Sequence, residues 1–373
     1  MRIVPISAVK SEAVLAKHIY NATGNILLKK GVKLTQSLLL KIEENNVYTI
    51  YINDEYSNEE INDVIRPEIR QKAVHAVMET FKNIESSNRL SKSGDPGLRE
   101  GLIIKSMEKY LDTLKSISKF IIDDLTNNHN LLINLVDIKN IDNYTYQHSV
   151  NVAIISLVIG IEMKLSRENL QTLFMGALLH DIGKTLLPRT LLAKRETYTD
   201  EEAEIIKEHC ELGYRYLKEN FTLPTQSYIV ALQHHERYDG SGYPKQAKGD
   251  LVHKFSRIVS IADCFDSMTS DRPTSKAAPV NEVIEYIMGS AGSQFDFDMA
   301  TIFSRKVIPY PPGTYVKLSS GDVAVVRSIN PNFPLRPKIE IINKSSSDYR
   351  KEIDLMETTN IVIKNIQYED PNI

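Results

Sequence analysis

The sequence is poor in cysteine. Cys210 and Cys264 are its only two, too few for a disulfide framework and too far apart for the CxxC pairs of structural zinc or thioredoxin chemistry. It also lacks a long hydrophobic run. The longest, Val150 to Ile161, carries Asn151 and Ser156 and falls short of the roughly 18–20 residues that a membrane helix needs. Charge of one sign is not in excess: 45 Lys and Arg face 48 Asp and Glu, a net charge of −3, and no like-charge run is long enough for a nucleic-acid arm. The start, Met1-Arg2-Ile3-Val4-Pro5, has no apolar signal-peptide core. There is no P-loop, no GxGxxG and no PCxxC, so triphosphate, dinucleotide and zinc-deaminase routes are set aside. These absences predict a soluble protein of the reducing cytoplasm, with neither a membrane nor a nucleic-acid polymer as partner.

What is there is an ordinary globular composition, 42% hydrophobic and 25% charged over 373 residues. At about 100–200 residues per domain, that length leaves room for two or three domains. The first part reads as short strands around a helix at Ser37 to Asn45: Ile3 to Ile6, Ile26 to Leu28 and Thr49 to Ile52 are apolar or β-branched, and Asn21 to Asn25 has turn chemistry. From Glu59 the spacing becomes helical, with Ile61, Val64, Ile65, Ile69, Ala73, Val77 and Phe81 recurring every three or four residues. Helical periodicity continues to about residue 306, interrupted by a loop-like stretch at Asn88 to Gly101. Strand patterns return at Tyr315 to Leu318, Val323 to Ser328, Lys338 to Ile342 and Ile361 to Ile366. The expected fold is mainly α: a small N-terminal α+β module (1–58), a helical connector (59–139), an all-helical domain (140–306) and a β-rich C-terminal segment (307–373).

The chemistry lies in the helical centre. Leu173, Phe174 and Ala177 set an inward stripe whose continuation by three and four residues is His180 and Asp181. Val230 and Ala231 are followed four residues on by His234 and His235; Val259 and Ala262 share a face with Asp263 and Asp266; His148 opens a face continued by Val152 and Ile155. A single such histidine is ordinarily a satisfied core residue. Several together need a shared partner, because each unsatisfied buried polar group costs roughly 1–3 kcal/mol. Divalent metal is the natural one, since neutral imidazole and carboxylate are its ligands and a carboxylate can bridge two ions. A zincin is excluded, because His235-Glu236-Arg237-Tyr238-Asp239 ends in Asp where HExxH has its second histidine.

These residues resemble a known family. His180-Asp181-Ile182-Gly183-Lys184 is similar to the HDxGK motif of the HD phosphohydrolase superfamily, and His234-His235-Glu236-Arg237-Tyr238-Asp239-Gly240-Ser241-Gly242-Tyr243-Pro244 to the HHExxDGxGYP motif of its HD-GYP branch. Tyr146 to Ala153, His209 with Gly213, Ile261 to Asp266 and Thr269 to Pro273 also match, so the resemblance covers about residues 140–306. It implies hydrolysis of cyclic di-GMP at two divalent ions, commonly iron or manganese, through a bridging hydroxide. His148, His180, Asp181 and Asp263 match the positions that hold one ion; Asp181 would bridge to a second, held by His209, His234 and His235. Lys184 matches the lysine that contacts the scissile phosphate, and Tyr243 and Arg272 match positions that hold the substrate's phosphate and guanine portions.

The chain departs from the family's pattern at two places. Tyr144 stands where some members have a Glu for a third metal, which favours two metals and pGpG over GMP as the main product. Ser275, beside Lys276, stands where a basic residue is common. Two rival readings are a receptor that holds cyclic di-GMP without cutting it, and an HD-type hydrolase of another cyclic dinucleotide. A complete ligand set argues against the receptor, which needs no hydroxide-generating pair. A homodimer or a signalling partner would dock through the N-terminal module or the connector helix. Cys210 and Cys264, each next to a ligand, are expected to turn about 100° away from the metals. Glu236 and Asp239 are read either as partners that orient histidines or as loop anchors. His18, His75, His129 and His253 match no motif.

Overall fold

The computed structural model describes residues 1–10, 12–20, 26–45, 47, 49–57, 64–91, 97–127, 133, 144–194, 196–270 and 277–369, with only the backbone at 87–91 and 97–109. The turn read at Asn21 to Asn25 and the histidine at 129 lie outside these residues. Two compact units emerge. One comprises residues 1–64, 132–143 and 305–373; the other comprises 65–131 and 144–304.

The first unit gathers segments from both ends of the sequence. β1 (Arg2–Pro5), β2 (Val14–Leu15) and β5 (Thr49–Asn53) form a sheet in the order β1-β5-β2. β3 (Ile19–Tyr20) pairs with β4 (Ile26–Leu28). Helix α1 (Gln36–Glu44) starts at Thr35, whose side chain accepts from the Leu38 N–H, and buries Leu39 and Ile42. The C-terminal strands β6 (Tyr315–Leu318), β7 (Val323–Ser328), β8 (Lys338–Ile341), β9 (Glu352–Asp354) and β10 (Ile363–Ile366) make an antiparallel sheet in the order β10-β6-β7-β8-β9. Arg2 joins the two segments: it pairs with Asp54, donates to the Tyr368 carbonyl at 2.9 Å and lies over the Tyr315 ring. The three shortest elements missed by pattern, β2, β3 and β9, have only two or three residues, too few for an alternation to register.

The second unit is entirely helical among its described residues. α2 (Pro67–Ser91) and α3 (Gly97–Thr126) pack on each other. Residues 88–91 and 97–101, read as loop from their Ser, Gly and Pro content, are helical at the ends of these two helices. α4 (Tyr144–Glu162) is buried continuously from His148 to Gly160, which explains its lack of a polar stripe, and packs on α5 (Arg167–Leu178) and on α10 (Lys254–Met268). A tight 3-10 turn, Ile182–Leu186, and α6 (Arg189–Leu192) lead to α7 (Asp200–Lys207), which opens with a Thr199–Glu202 capping box. α8 (His209–Asn220), α9 (Thr225–Gln233), α11 (Val280–Gly289) and α12 (Phe297–Lys306) complete the helical set. None of the described helices is long and apolar enough to cross a membrane.

Gly183 is required by packing. A Cβ there would lie 1.9 Å from the His209 carbonyl oxygen and 2.7 Å from the Gly213 nitrogen. Two glycines facing each other therefore let the turn after Asp181 seat directly on the start of α8.

Candidate metal centre

The helical unit brings all seven sequence-predicted ligands together in two adjoining groups. Asp181, His209, His234 and His235 form one, and His148, His180 and Asp263 the other, with ligand atoms in each group within 4.8 Å of one another. Asp181 is 1% exposed and divides its carboxylate between them. Oδ1 lies 3.5 Å from His209 Nε2 and 3.7 Å from His234 Nε2, while Oδ2 lies 3.4 Å from His180 Nε2 and 3.8 Å from His148 Nε2.

Three of the histidines stand at helix C-termini, where the last carbonyls have no partner within the helix. His180 Nδ1 donates to Ala177 O (2.6 Å) at the end of α5, His209 Nδ1 to Ile206 O (2.6 Å) at the end of α7, and His234 Nδ1 to Ala231 O (3.0 Å) at the end of α9. Each bond places the proton on Nδ1, leaving Nε2 as a lone pair aimed inward. The C-terminal ends of α5 and α9 thus bring the negative ends of two helix dipoles to the cluster, while His209 lies where α7 ends and α8 begins. His148 reaches the same state differently. Its Nδ1 donates to Asp266 Oδ2 at 2.8 Å, and Asp266 Oδ1 accepts from Asn151 Nδ2 at 2.9 Å.

This arrangement fits metal ions. His209 Nε2 and His234 Nε2 are 3.2 Å apart with both protons committed elsewhere, so two lone pairs face each other. His180 Nε2 and Asp181 Oδ1 are buried and have no hydrogen-bond partner among the described residues. Such groups cost roughly 1–3 kcal/mol each unless satisfied, and a divalent ion in each group would satisfy them.

Electrostatics agree. Burial, aided by the Lys184 ammonium, pushes His209 down to about 4, and burial pushes His235 down to about 3, keeping both as the neutral imidazoles that ligate metals. Burial alone would raise Asp181, but Lys184 and His180 outweigh it and hold its carboxyl well below the usual range. His148 goes the other way. Burial lowers it, yet hydrogen bonds to Asp263 and Asp266 prevail and raise it to about 9. A dication facing Nε2 takes the place of that proton.

Lys184 Nζ donates to Asp181 Oδ2 at 2.6 Å, with its side chain one-third exposed at the edge of the centre. Tyr243 lies beside it through His235, their rings stacked at 4.8 Å. Tyr243 also lines a cavity of about 830 Å³ with Lys207, Glu208, Glu211 and Arg215. Arg272, Ser275 and Lys276 lie outside the described residues.

Several details were not legible beforehand. Among the described residues, neither Glu236 nor Asp239 accepts a hydrogen bond from a histidine ring. Glu236 accepts backbone N–H groups of Lys245 and Ala247, and Asp239 accepts from Ser241, so both anchor the loop. Cys210, expected to turn away, brings its sulfur within 3.5 Å of His209 Nε2, because the imidazole is long enough to reach back over its neighbour. Burial pushes its thiol above its ordinary range, so it stays protonated. Cys264 contacts Met268 sulfur at 3.6 Å instead. Asn151 and the three helix-end carbonyls had no sequence signal beyond histidine at the end of an apolar stripe. His18 accepts from the Lys30 N–H and His253 caps α10, and neither belongs to the two ligand groups.

Residues 130–299 match the family model of the HD domain, and residues 315–370 that of a KOW domain associated with HD domains. A cyclic di-GMP phosphodiesterase of Pseudomonas aeruginosa is 32% identical over 218 residues, 58% of this chain and 52% of the relative. One from Thermotoga maritima is 32% identical over 208 residues, 54% of this chain and 56% of the relative. A 3'3'-cGAMP-specific phosphodiesterase of Vibrio cholerae is 36% identical over 156 residues, 41% of this chain and 35% of the relative. The chain spans about half the length of the first two.

Proposed function

The chain is a member of the HD-GYP family of HD-domain proteins, and from that premise we propose that it hydrolyses cyclic di-GMP, mainly to linear pGpG, at a centre of two divalent metal ions. The observation that carries this reading is the Asp181 carboxylate, with one oxygen turned to His209 and His234 and the other to His148 and His180. A carboxylate so divided suits a bridge between two ions, and two ions suit in-line displacement at a phosphodiester.

Bound there, the pair of ions supplies a nucleophile derived from water at neutral pH and offsets charge on the phosphoryl oxygens. The protein's own residues do the rest. His148, His180 and Asp263 would hold one ion, and His209, His234 and His235 the other, with Asp181 shared by both groups. Lys184, at the solvent edge of the carboxylate, donates to a non-bridging oxygen of the scissile phosphate and steadies the charge that develops there. Tyr243 and Arg272 hold the remaining phosphate and guanine portions. The imidazole and carboxylate donors of these seven residues, with no cysteine among them, suit iron or manganese.

The product follows from Tyr144. Its ring stacks on His148 at 5.5 Å, where an acidic side chain would be needed for a third ion. By likeness to the family, a site without that carboxylate would favour linear pGpG as the main product.

A second reading, cleavage of a different cyclic dinucleotide, is favoured by the 3'3'-cGAMP-specific relative. The test is anaerobic loading with Fe(II) or Mn(II), incubation with cyclic di-GMP and with 3'3'-cGAMP, and chromatography of the products, with Asp181→Ala as control. Turnover of cyclic di-GMP to pGpG, lost in the variant, is expected. Faster turnover of the mixed dinucleotide would transfer the proposal to that substrate, and tight binding without turnover would replace the enzyme with a receptor.

A further inference from the structure

His235 differs from the other four imidazoles of the centre. Each of those has an Nδ1–H committed to Asp266 or to a helix-end carbonyl. The His235 ring makes no side-chain hydrogen bond among the described residues, its Nδ1 lying 3.7 Å from Asp263 Oδ2, and its side chain is 21% exposed against 0–3% for the others. Ring contacts take the place of that bond: His234 lies at 4.1 Å and His209 at 5.2 Å on the metal side, and Tyr243 is the one stacked on it from outside the ligand set, at 4.8 Å and 28°.

The loop that carries Tyr243 is folded shut. Glu236, itself 1% exposed, accepts the Lys245 N–H at 2.7 Å and the Ala247 N–H at 3.0 Å. The Tyr243 N–H donates to the His235 carbonyl at 3.2 Å. Gly242 lies so close to the same backbone that a Cβ would meet Arg237 N and His235 O at 2.4 Å. Asp239 closes the tip by accepting from Ser241 N (2.9 Å) and Oγ (2.7 Å), and Lys245 Nζ ties the far end to Glu211 on α8 at 2.6 Å. The twelve residues from Glu236 to Ala247 thus form one closed loop that holds the Tyr243 ring against the His235 imidazole.

We infer that Tyr243 is a positioning residue that holds His235 in its ligating orientation, and that the buried Glu236 carboxylate, by closing the loop, positions Tyr243. The inference rests on the two-metal reading. It makes the ion held by His209, His234 and His235 the one that depends on the loop, while the ion held by His148, His180 and Asp263 does not. Ring contact substitutes for the missing hydrogen bond, a job that a phenylalanine can do and an aliphatic side chain cannot.

The test is anaerobic titration of the full chain with Mn(II) alone, free ion being read by electron paramagnetic resonance. Wild type binds two equivalents. Tyr243→Ala, Tyr243→Leu and Glu236→Gln weaken one equivalent by about 10–100-fold, the range expected when a group that orients a ligand is removed, and leave the other unchanged. Tyr243→Phe restores wild-type binding. In a His235→Ala background, Tyr243→Leu adds nothing. Tyr243→Leu guards against a cavity that unfolds Tyr243→Ala, with circular dichroism confirming the helical unit in each variant. Two unchanged equivalents in the variants would overturn the inference and leave Tyr243 as a substrate contact only. Equal loss of both in a folded variant would overturn it as well. A wild type that binds one equivalent or none would instead sink the two-metal reading beneath it.

Discussion

Replacing Asp266 by asparagine tests the link between hydrogen bonding outside the metal ligands and metal affinity. The Asp266 carboxylate is 1% exposed and accepts two buried hydrogen bonds, from His148 Nδ1 at 2.8 Å and from Asn151 Nδ2 at 2.9 Å. An asparagine has one carbonyl oxygen, so it can serve one of these donors while its amide N–H₂ faces the other. A hydrogen bond to a charged acceptor contributes roughly 1.5–3 kcal/mol, and a buried donor without an acceptor costs about 1–3 kcal/mol. With His148 no longer tied at Nδ1, its proton can move to Nε2, the atom 3.1 Å from Asp263 Oδ1 that must stay free for the ion. We expect Asp266→Asn to weaken one of two Mn(II) equivalents by about 10–100-fold, which is roughly 1.4–2.8 kcal/mol. Anaerobic titration against a chelator measures it, and a cycle with His148→Ala assigns the cause. The coupling between the two sites should be about 0.5–3 kcal/mol. If Asp266→Asn costs as much metal affinity without His148 as with it, the carboxylate acts through Asn151 and α4 packing, and the reasoning fails.

Further outcomes are expected elsewhere. Gly183→Ala should destabilise the chain by about 3 kcal/mol or more in urea unfolding, because its Cβ would lie 1.9 Å from the His209 carbonyl; stability equal to wild type would show that the turn has room to move. Lys184→Gln should keep both metal equivalents yet lower kcat by about 100-fold, in line with removal of one donor to a developing anion; loss of metal instead would make the lysine part of the Asp181 site. Asp54 contributes to the acid sensitivity of the first unit. Burial opposes its charge, but Arg2, Ser57 and Tyr315 outweigh it and lower its pKa. Its contribution is therefore complete above the unfolded carboxylate value near 4 and is lost as pH falls through the lower folded value. Hydrogen exchange at β1 and β5 should show Asp54→Asn weaker by roughly 1.5–3 kcal/mol at pH 7, with the gap closing toward pH 2; a gap that persists would assign the effect to shape rather than charge.

Much of the second unit was legible because a buried helix writes its environment into local spacing. Leu173, Phe174 and Ala177 are fully buried, and the stripe they define ends in His180 and Asp181. The β runs at Tyr315 to Leu318 and Val323 to Ser328 coincide with strands because they are short apolar, β-branched runs whose alternate side chains fill two different cores. Chemically unusual residues on apolar faces pointed to a metal centre before any distance was known.

Pairings between distant elements could not be read this way. Nothing local tells His148 that Asp266, 118 residues on, will accept its Nδ1 proton, or tells Arg2 that Tyr368 lies against it. Nor could spacing decide whether Glu236 orients a histidine or closes a loop, since both roles need the same carboxylate and differ only in which donors the fold brings near. The sequence by itself determined which side chains must be buried and which of them cannot be buried alone. Tertiary structure decided how they are satisfied, because a hydrogen bond or a ligand bond depends on contact within about 3 Å, and that contact exists only after the helices have packed.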